Sequence, residues 1–197
     1  MTPQIEPDTE IPMKRLIVTT AMAAYLTVGV AMAATANPLV GGNPMLASRN
    51  VVENAVNSKA HTTLVAAVKA GGLVDTLASA GPFTVFAPTN AAFAGLPAGT
   101  VDKLLMPGNK KMLVHVLTYH AVPGTHDSAD LMARIKAGGG AATLKTASGD
   151  TLTLRMNGPA NVVVEDADGG TANISTYDVM QSNGVIHVVD SVLHPKM

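Results

Sequence analysis

The spacing of apolar positions changes near the middle of the chain. Val51-Val52 and Ala55-Val56, then Leu64, Val65 and Val68, recur at the three- and four-residue interval of a helix face. Thr62 or Thr63 is placed to cap the second of these helices, and Gly71-Gly72 ends it. Residues 73–80, 90–93, 101–105 and 111–119 also predict helices. In the last, Met112/Val116 and Leu113/Leu117 form paired rows one turn apart, suited to burial against a sheet. Among these helices, 83–87 reads as a strand, with Phe83, Val85 and Ala87 alternating against Thr84 and Phe86. After Pro123 the period becomes two. Stretches 141–146, 151–156, 162–165, 173–177 and 185–189 alternate or are rich in β-branched residues, separated by Gly-Asp, Asn-Gly-Pro, Asp-Gly-Gly and Asn-Gly turns.

Helices first and antiparallel strands second define an α+β chain with one early strand. A single strand has no stability alone, so 83–87 is expected to pair with 185–189 across the length of the domain. No repeat of this pattern is visible, and the chain holds one copy.

The N-terminal stretch stands apart. Met13-Lys14-Arg15 precedes an apolar, uncharged run, and no further charge appears until Arg49. Small residues at Ala31-Met32-Ala33 or Ala34-Thr35-Ala36 complete an export signal over 1–36, behind an acidic prefix of Glu6, Asp8 and Glu10. An uncleaved anchor is the alternative, since the run nearly matches a bilayer core of roughly 30 Å; membrane contact is expected through this segment only. Residues 37–47, rich in Gly and Pro, read as a flexible leader, and 48–195 as the domain. The chain has no cysteine, so neither a disulfide nor a thioether lipid holds it. Beyond residue 36 it carries eleven basic and eleven acidic residues, a neutral balance that gives no electrostatic attraction for nucleic acid. With 3% aromatic residues it also lacks a stacking platform for bases or sugars.

Catalytic chemistry is thinly represented. Ser182, His120, His187 and Asp190 are the right types for nucleophilic hydrolysis, but Ser182-Asn183-Gly184 precedes a strand, whereas a nucleophile elbow follows one. His115 and His120 are five apart on a helix and do not project together. Glu165, Asp166 and Asp168 fit a turn better than a calcium loop. No catalytic, cofactor or metal residue is assigned, and no cofactor is expected.

Three segments in this order, TVFAPTNAAFAGLP, VLTYHAVPG and SNGVIHVVDSVLHP, resemble the fasciclin (FAS1) domain over roughly 48–195. The resemblance implies a β-wedge of largely antiparallel strands covered by short N-terminal helices, of the small secreted bacterial type. It also implies an adhesion or protein-interaction module, secreted, periplasmic or on the cell surface, whose partner is a surface or matrix protein or glycan. A self-associating structural component and a small-ligand binder or hydrolase are the alternatives. By resemblance, the contact with a partner falls on Leu117, Tyr119, His120 and Val122, although Tyr119 and His120 could equally be buried at the end of their helix. The other matching residues have structural expectations. Thr89 or Asn90 caps the helix carrying Phe93, which seals onto the sheet with Leu96. Asn183-Gly184 forms a tight turn, and His187 is either exposed or satisfied within the wedge. Asp190 accepts backbone N–H groups at the strand end, and Pro195 stops the last strand.

Overall fold

A computed structural model describes residues 37–196; the export signal read over 1–36 lies outside them. The chain opens with a hairpin of two-residue strands, β1 (Leu39–Val40) and β2 (Asn43–Pro44). Helices α1 (Val51–Asn57), α2 (Thr62–Gly71) and α3 (Val74–Ala78) lead into strand β3 (Phe83–Pro88). Helices α4 (Asn90–Ala94), α5 (Thr100–Leu105) and α6 (Lys110–Tyr119) follow, then β4 (Ala121–Pro123) and α7 (Ser128–Ala137). The remainder is strand: β5 (Ala141–Lys145), β6 (Thr151–Met156), β7 (Val162–Glu165), β8 (Thr171–Gln181) and β9 (Gly184–Val189).

Strands β3 to β9 form a seven-stranded sheet in the order β4-β3-β9-β8-β7-β6-β5. The pairing of the early strand with the last one is present, from Phe83 opposite Gly184 to Pro88 opposite Val189, and it is parallel. Parallel neighbours need a long crossover, and here everything from α4 to β8 supplies it. The other pairs of this sheet are antiparallel. The two edge strands approach each other, and Ala147 N–H donates to Ala121 O at 2.7 Å beside them.

The alternation read along 83–87 sorts side chains into two cores. Val85 and Ala87, with Ile186 and Val188 from β9, face the helices and pack with Leu64, Val68, Leu113 and Leu117. Phe86 and Val189 face the inside of the curled sheet, where Leu152, Leu154, Val162 and Val164 collect. Both faces of β3 and β9 are therefore buried, as for the inner strands of a parallel sheet.

Several expectations need correction. Residues 37–47 are not a loose leader. Val40 and Met45 are buried, and the Asn37 side chain donates to Met180 O (2.6 Å) and accepts from Met180 N–H (3.1 Å). Met112 is 42% exposed, outside the buried row of Leu113, Val116 and Leu117, because α6 turns that side to solvent. Strand β9 ends at Val189, well ahead of Pro195. Strand β8 is longer than the expected 173–177 and is broken by bulges. Within it Asp178 adopts φ 54°, held there by Ser128, whose N–H donates to its carboxylate at 2.7 Å and whose hydroxyl donates to the other oxygen. Finally, β4 and α7 have no counterpart in the sequence reading. Helix α7 starts on an Asp127 cap that accepts from Asp130 N–H (2.8 Å), and Leu131 and Ile135, one turn apart, close the second core.

Candidate functional site

Helix α6 runs directly into β4, so residues 117–122 cross from one core to the other. Leu117 packs in the helical core; Tyr119 and Val122 pack inside the sheet. None of Leu117, Tyr119, His120 and Val122 is more than 8% exposed, and Tyr119 is fully buried. In the folded domain their side chains face inward.

The polar atoms of this segment are all engaged. The Tyr119 hydroxyl donates to Thr151 O and accepts from Ala167 N–H, both at 3.0 Å. Burial pushes its pKa up to about 12. His120 Nε2 accepts from Leu193 N–H (2.9 Å), so Nδ1 carries the proton and donates to Val116 O (2.8 Å). Burial brings this imidazole down to about 4, with the backbone carbonyl opposing the shift only partly. His120 is thus a neutral tie between α6 and the C-terminal tail.

His187 is the same kind of residue on β9. It lies between Phe86 and Tyr177, with ring centroids at 5.7 and 5.9 Å. Asp178 N–H points at Nδ1 (3.4 Å), and Nε2–H donates to His126 O (2.8 Å). Burial lowers its pKa. Its side chain is fully buried.

The turn at Asn183-Gly184 does more than reverse the chain. Asn183 is buried; its Oδ1 accepts from Val51 N–H (3.0 Å) and its Nδ2 donates to Leu77 O and Ser79 O (both 2.8 Å). One amide thereby joins the β8–β9 turn to the start of α1 and the end of α3. Asp190 accepts from Asn173 N–H (2.8 Å) and from Asn173 Nδ2 (2.9 Å), which fixes the end of β9 to β8.

Thr89 caps α4, accepting from Ala92 N–H at 3.2 Å, and Phe93 is buried in the helical core with Leu96 partly buried beside it. Asn90 has a different role from capping its own helix. Its Oδ1 accepts from Thr63 N–H (3.0 Å) and the Thr62 hydroxyl (3.2 Å), and its Nδ2 donates to Lys59 O (2.9 Å). The cap of α2 thus comes from α4, not from Thr62 or Thr63. Replacing Asn90 by alanine is expected to cost about 1–2 kcal/mol, read as a lower denaturant midpoint at unchanged slope; a change below about 0.3 kcal/mol would show that this cap contributes nothing.

The residue types considered for hydrolysis do not converge. Ser182 is exposed, with its N–H on Arg49 O (2.9 Å), while His120 and His187 have their ring nitrogens bound to other partners. His115 is paired instead with Asp150 at 2.7 Å. Asp166 makes a turn, accepting from Asp168 N–H (3.1 Å), Gly170 N–H (2.7 Å) and His194 N–H (2.9 Å). Among the described residues no group of three or more metal-type side chains gathers, and no helix is long and apolar enough to cross a membrane.

What the sequence reading passed over is the outer face of α5 and α6. Met112 on α6 is 42% exposed, and Met106, just past the end of α5, is 53% exposed. Met112 lines a concavity of about 150 Å³ with Leu104, Val116 and Val192, and a second beside Pro195. Lys103, Lys110 and Lys111 belong to the same helices, and no ion pair among the described residues involves them. The lysine pair Lys110-Lys111 directly before Met112 is the signal that could have revealed this face.

A curled, largely antiparallel sheet with one parallel pair, covered by short N-terminal helices, defines an α+β wedge. Residues 59–195 match the family model described as Fasciclin domain, and the chain belongs to that family. It is 47% identical over 148 residues to protein sll1483 of Synechocystis, spanning 75% of this chain and 74% of that protein. It is 34% identical over 173 residues to immunogenic protein MPB70 of Mycobacterium bovis, spanning 85% and 80%. In structure it is similar to a FAS1 domain pair from the insect cell adhesion molecule fasciclin I, with a TM-score of 0.65 and 21% identity. That match covers 74% of this chain and 51% of the other.

Proposed function

We propose that this protein is a secreted or cell-surface adhesion module, not an enzyme, that binds a protein partner through the outer face of α5 and α6. The observation that carries the reading is the exposed Met112, which lines one concavity with Lys103 and Leu104 of α5 and another with Lys111. Methionine offers flexible apolar contact, and adjacent cations favour an acidic partner surface. Membership in the fasciclin-domain family and the fold shared with a cell adhesion molecule support the class of function.

The expected contact residues Leu117, Tyr119, His120 and Val122 are assigned a supporting role. They hold α6 in place and so position Met112 from beneath. A partner reaching them directly would have to open the helical core first.

Met112→Glu tests the reading, since an exposed position tolerates the charge without loss of fold. Adhesion of the exported protein to its native cell surface is expected to fall about tenfold, a typical loss for one anchoring residue. Unchanged adhesion by folded Met112→Glu and Met106→Glu variants would remove this face from consideration.

A further inference from the structure

Beneath the helical cover lies a cavity of about 40 Å³ between α1, α2, α3 and β3, with Leu117 and His120 at its α6 end. Its wall is almost wholly apolar: Val51, Leu64, Val68, Leu77 and Val85 supply much of it. The ring nitrogens of His120 are bound elsewhere and offer the cavity nothing polar. A single water needs about 10–15 Å³ and two or more polar partners. The space exceeds that volume severalfold and supplies no such partners, so an apolar occupant is favoured over water. Val52, Ala55, Val65 and Val74 are only half-buried, which brings one side of the cavity to the surface. Among the described residues Lys69 is the one charged residue of the lining, and it is exposed. No ion pair among the described residues involves it.

An apolar cavity with one cation at its open side has the chemistry of an amphipathic anion site. We propose that this cavity takes the last few carbons of a free medium-chain fatty acid, the rest of whose chain lies along the half-buried side and whose carboxylate meets Lys69. A space of about 40 Å³ takes only the last few carbons of a chain, and each methylene buried contributes roughly 0.8 kcal/mol. The carboxylate stays at the surface, where attraction to Lys69 adds selectivity with little desolvation. This site is separate from the α5–α6 face and stands or falls independently of it.

The test titrates the full chain with sodium decanoate, decanol and decyltrimethylammonium, following methyl resonances of Val51, Leu64, Val68 and Leu77. Decanoate is expected to shift these methyls saturably, and the cationic analogue to leave them unmoved. Lys69→Gln is expected to weaken decanoate about fivefold while leaving decanol unchanged. Ala55→Leu, which fills the mouth from α1, is expected to weaken all binding at least about tenfold; Val65→Phe does the same from α2 if the first variant misfolds. Saturable shifts absent from these methyls, equal binding of the cation, or parent-like binding by the folded filled variants would overturn the proposal. So would a response to phosphatidylglycerol vesicles with none to free decanoate.

Discussion

Replacing Gly184 by alanine is expected to destabilise the protein by more than about 4 kcal/mol, enough to unfold most small domains of ordinary stability. Gly184 has φ 155°, and a Cβ placed on it would run into the carbonyl oxygen of Phe83, at the first register pair of the β3–β9 ladder. The obstacle is backbone, so no side-chain rotation relieves it. Moving β9 aside would separate the parallel β3–β9 pair and disturb both cores together, since Val85 and Phe86 face opposite ways from β3. Gly108→Ala is the matching control: its added methyl meets nothing within 4 Å, and the position has no positive φ. Circular dichroism with denaturant titration should show a folded control and a largely unfolded Gly184 variant. Equal midpoints for the two would mean that β9 can shift without cost.

Mild acid is expected to weaken the fold through its buried imidazoles. The folded pKa of His120 lies at about 4, below an unfolded value of 6.5, and burial also lowers His187 and His61. As pH falls through 6.5 the unfolded chain takes up protons that the folded chain refuses, so stability is intact above 6.5 and declines between there and about 4. For His120 alone the loss approaches roughly 3 kcal/mol at the lower end; His187 and His61 act in the same direction. His120→Gln is expected to flatten this part of the pH profile by about that amount. At pH 7.5 the same variant should be less stable by about 1–3 kcal/mol, because Leu193 N–H loses its acceptor. Denaturant titrations of parent and variant from pH 7.5 to 4 provide the measurement, and parallel profiles would contradict the assignment.

Much of this architecture was legible in the residues, for identifiable reasons. Alternating or β-branched runs located β6, β7 and β9, and the isolated alternation of 83–87 required a distant partner, which β9 supplies. The direction of that pairing was not readable, because side-chain alternation is the same in parallel and antiparallel strands. Helix α7 escaped notice because its buried stripe is narrow, with only Leu131 and Ile135 fully buried, and its start is marked by a single Asp127 cap. The roles of Asn90 and Asn183 were hidden for a related reason. Each side chain bonds to backbone far away in sequence, and a polar residue beside a turn looks the same whether it serves that turn or another element. The site followed the same rule. Sequence resemblance pointed to Leu117, Tyr119, His120 and Val122, but only the fold shows that α6 delivers them into the two cores and leaves Met112 outside.

On the function proposed, the Tyr119–His120 segment holds the domain together from within while contact with a partner occurs elsewhere. Chemical modification of histidines by diethyl pyrocarbonate at pH 7, read residue by residue by mass spectrometry, tests it most directly. His115 and His194, whose side chains are 45% and 38% exposed, should react readily, while His120 and His187 remain unmodified until the protein is denatured. Modification of His120 in the folded protein at the rate of His115 would contradict the account.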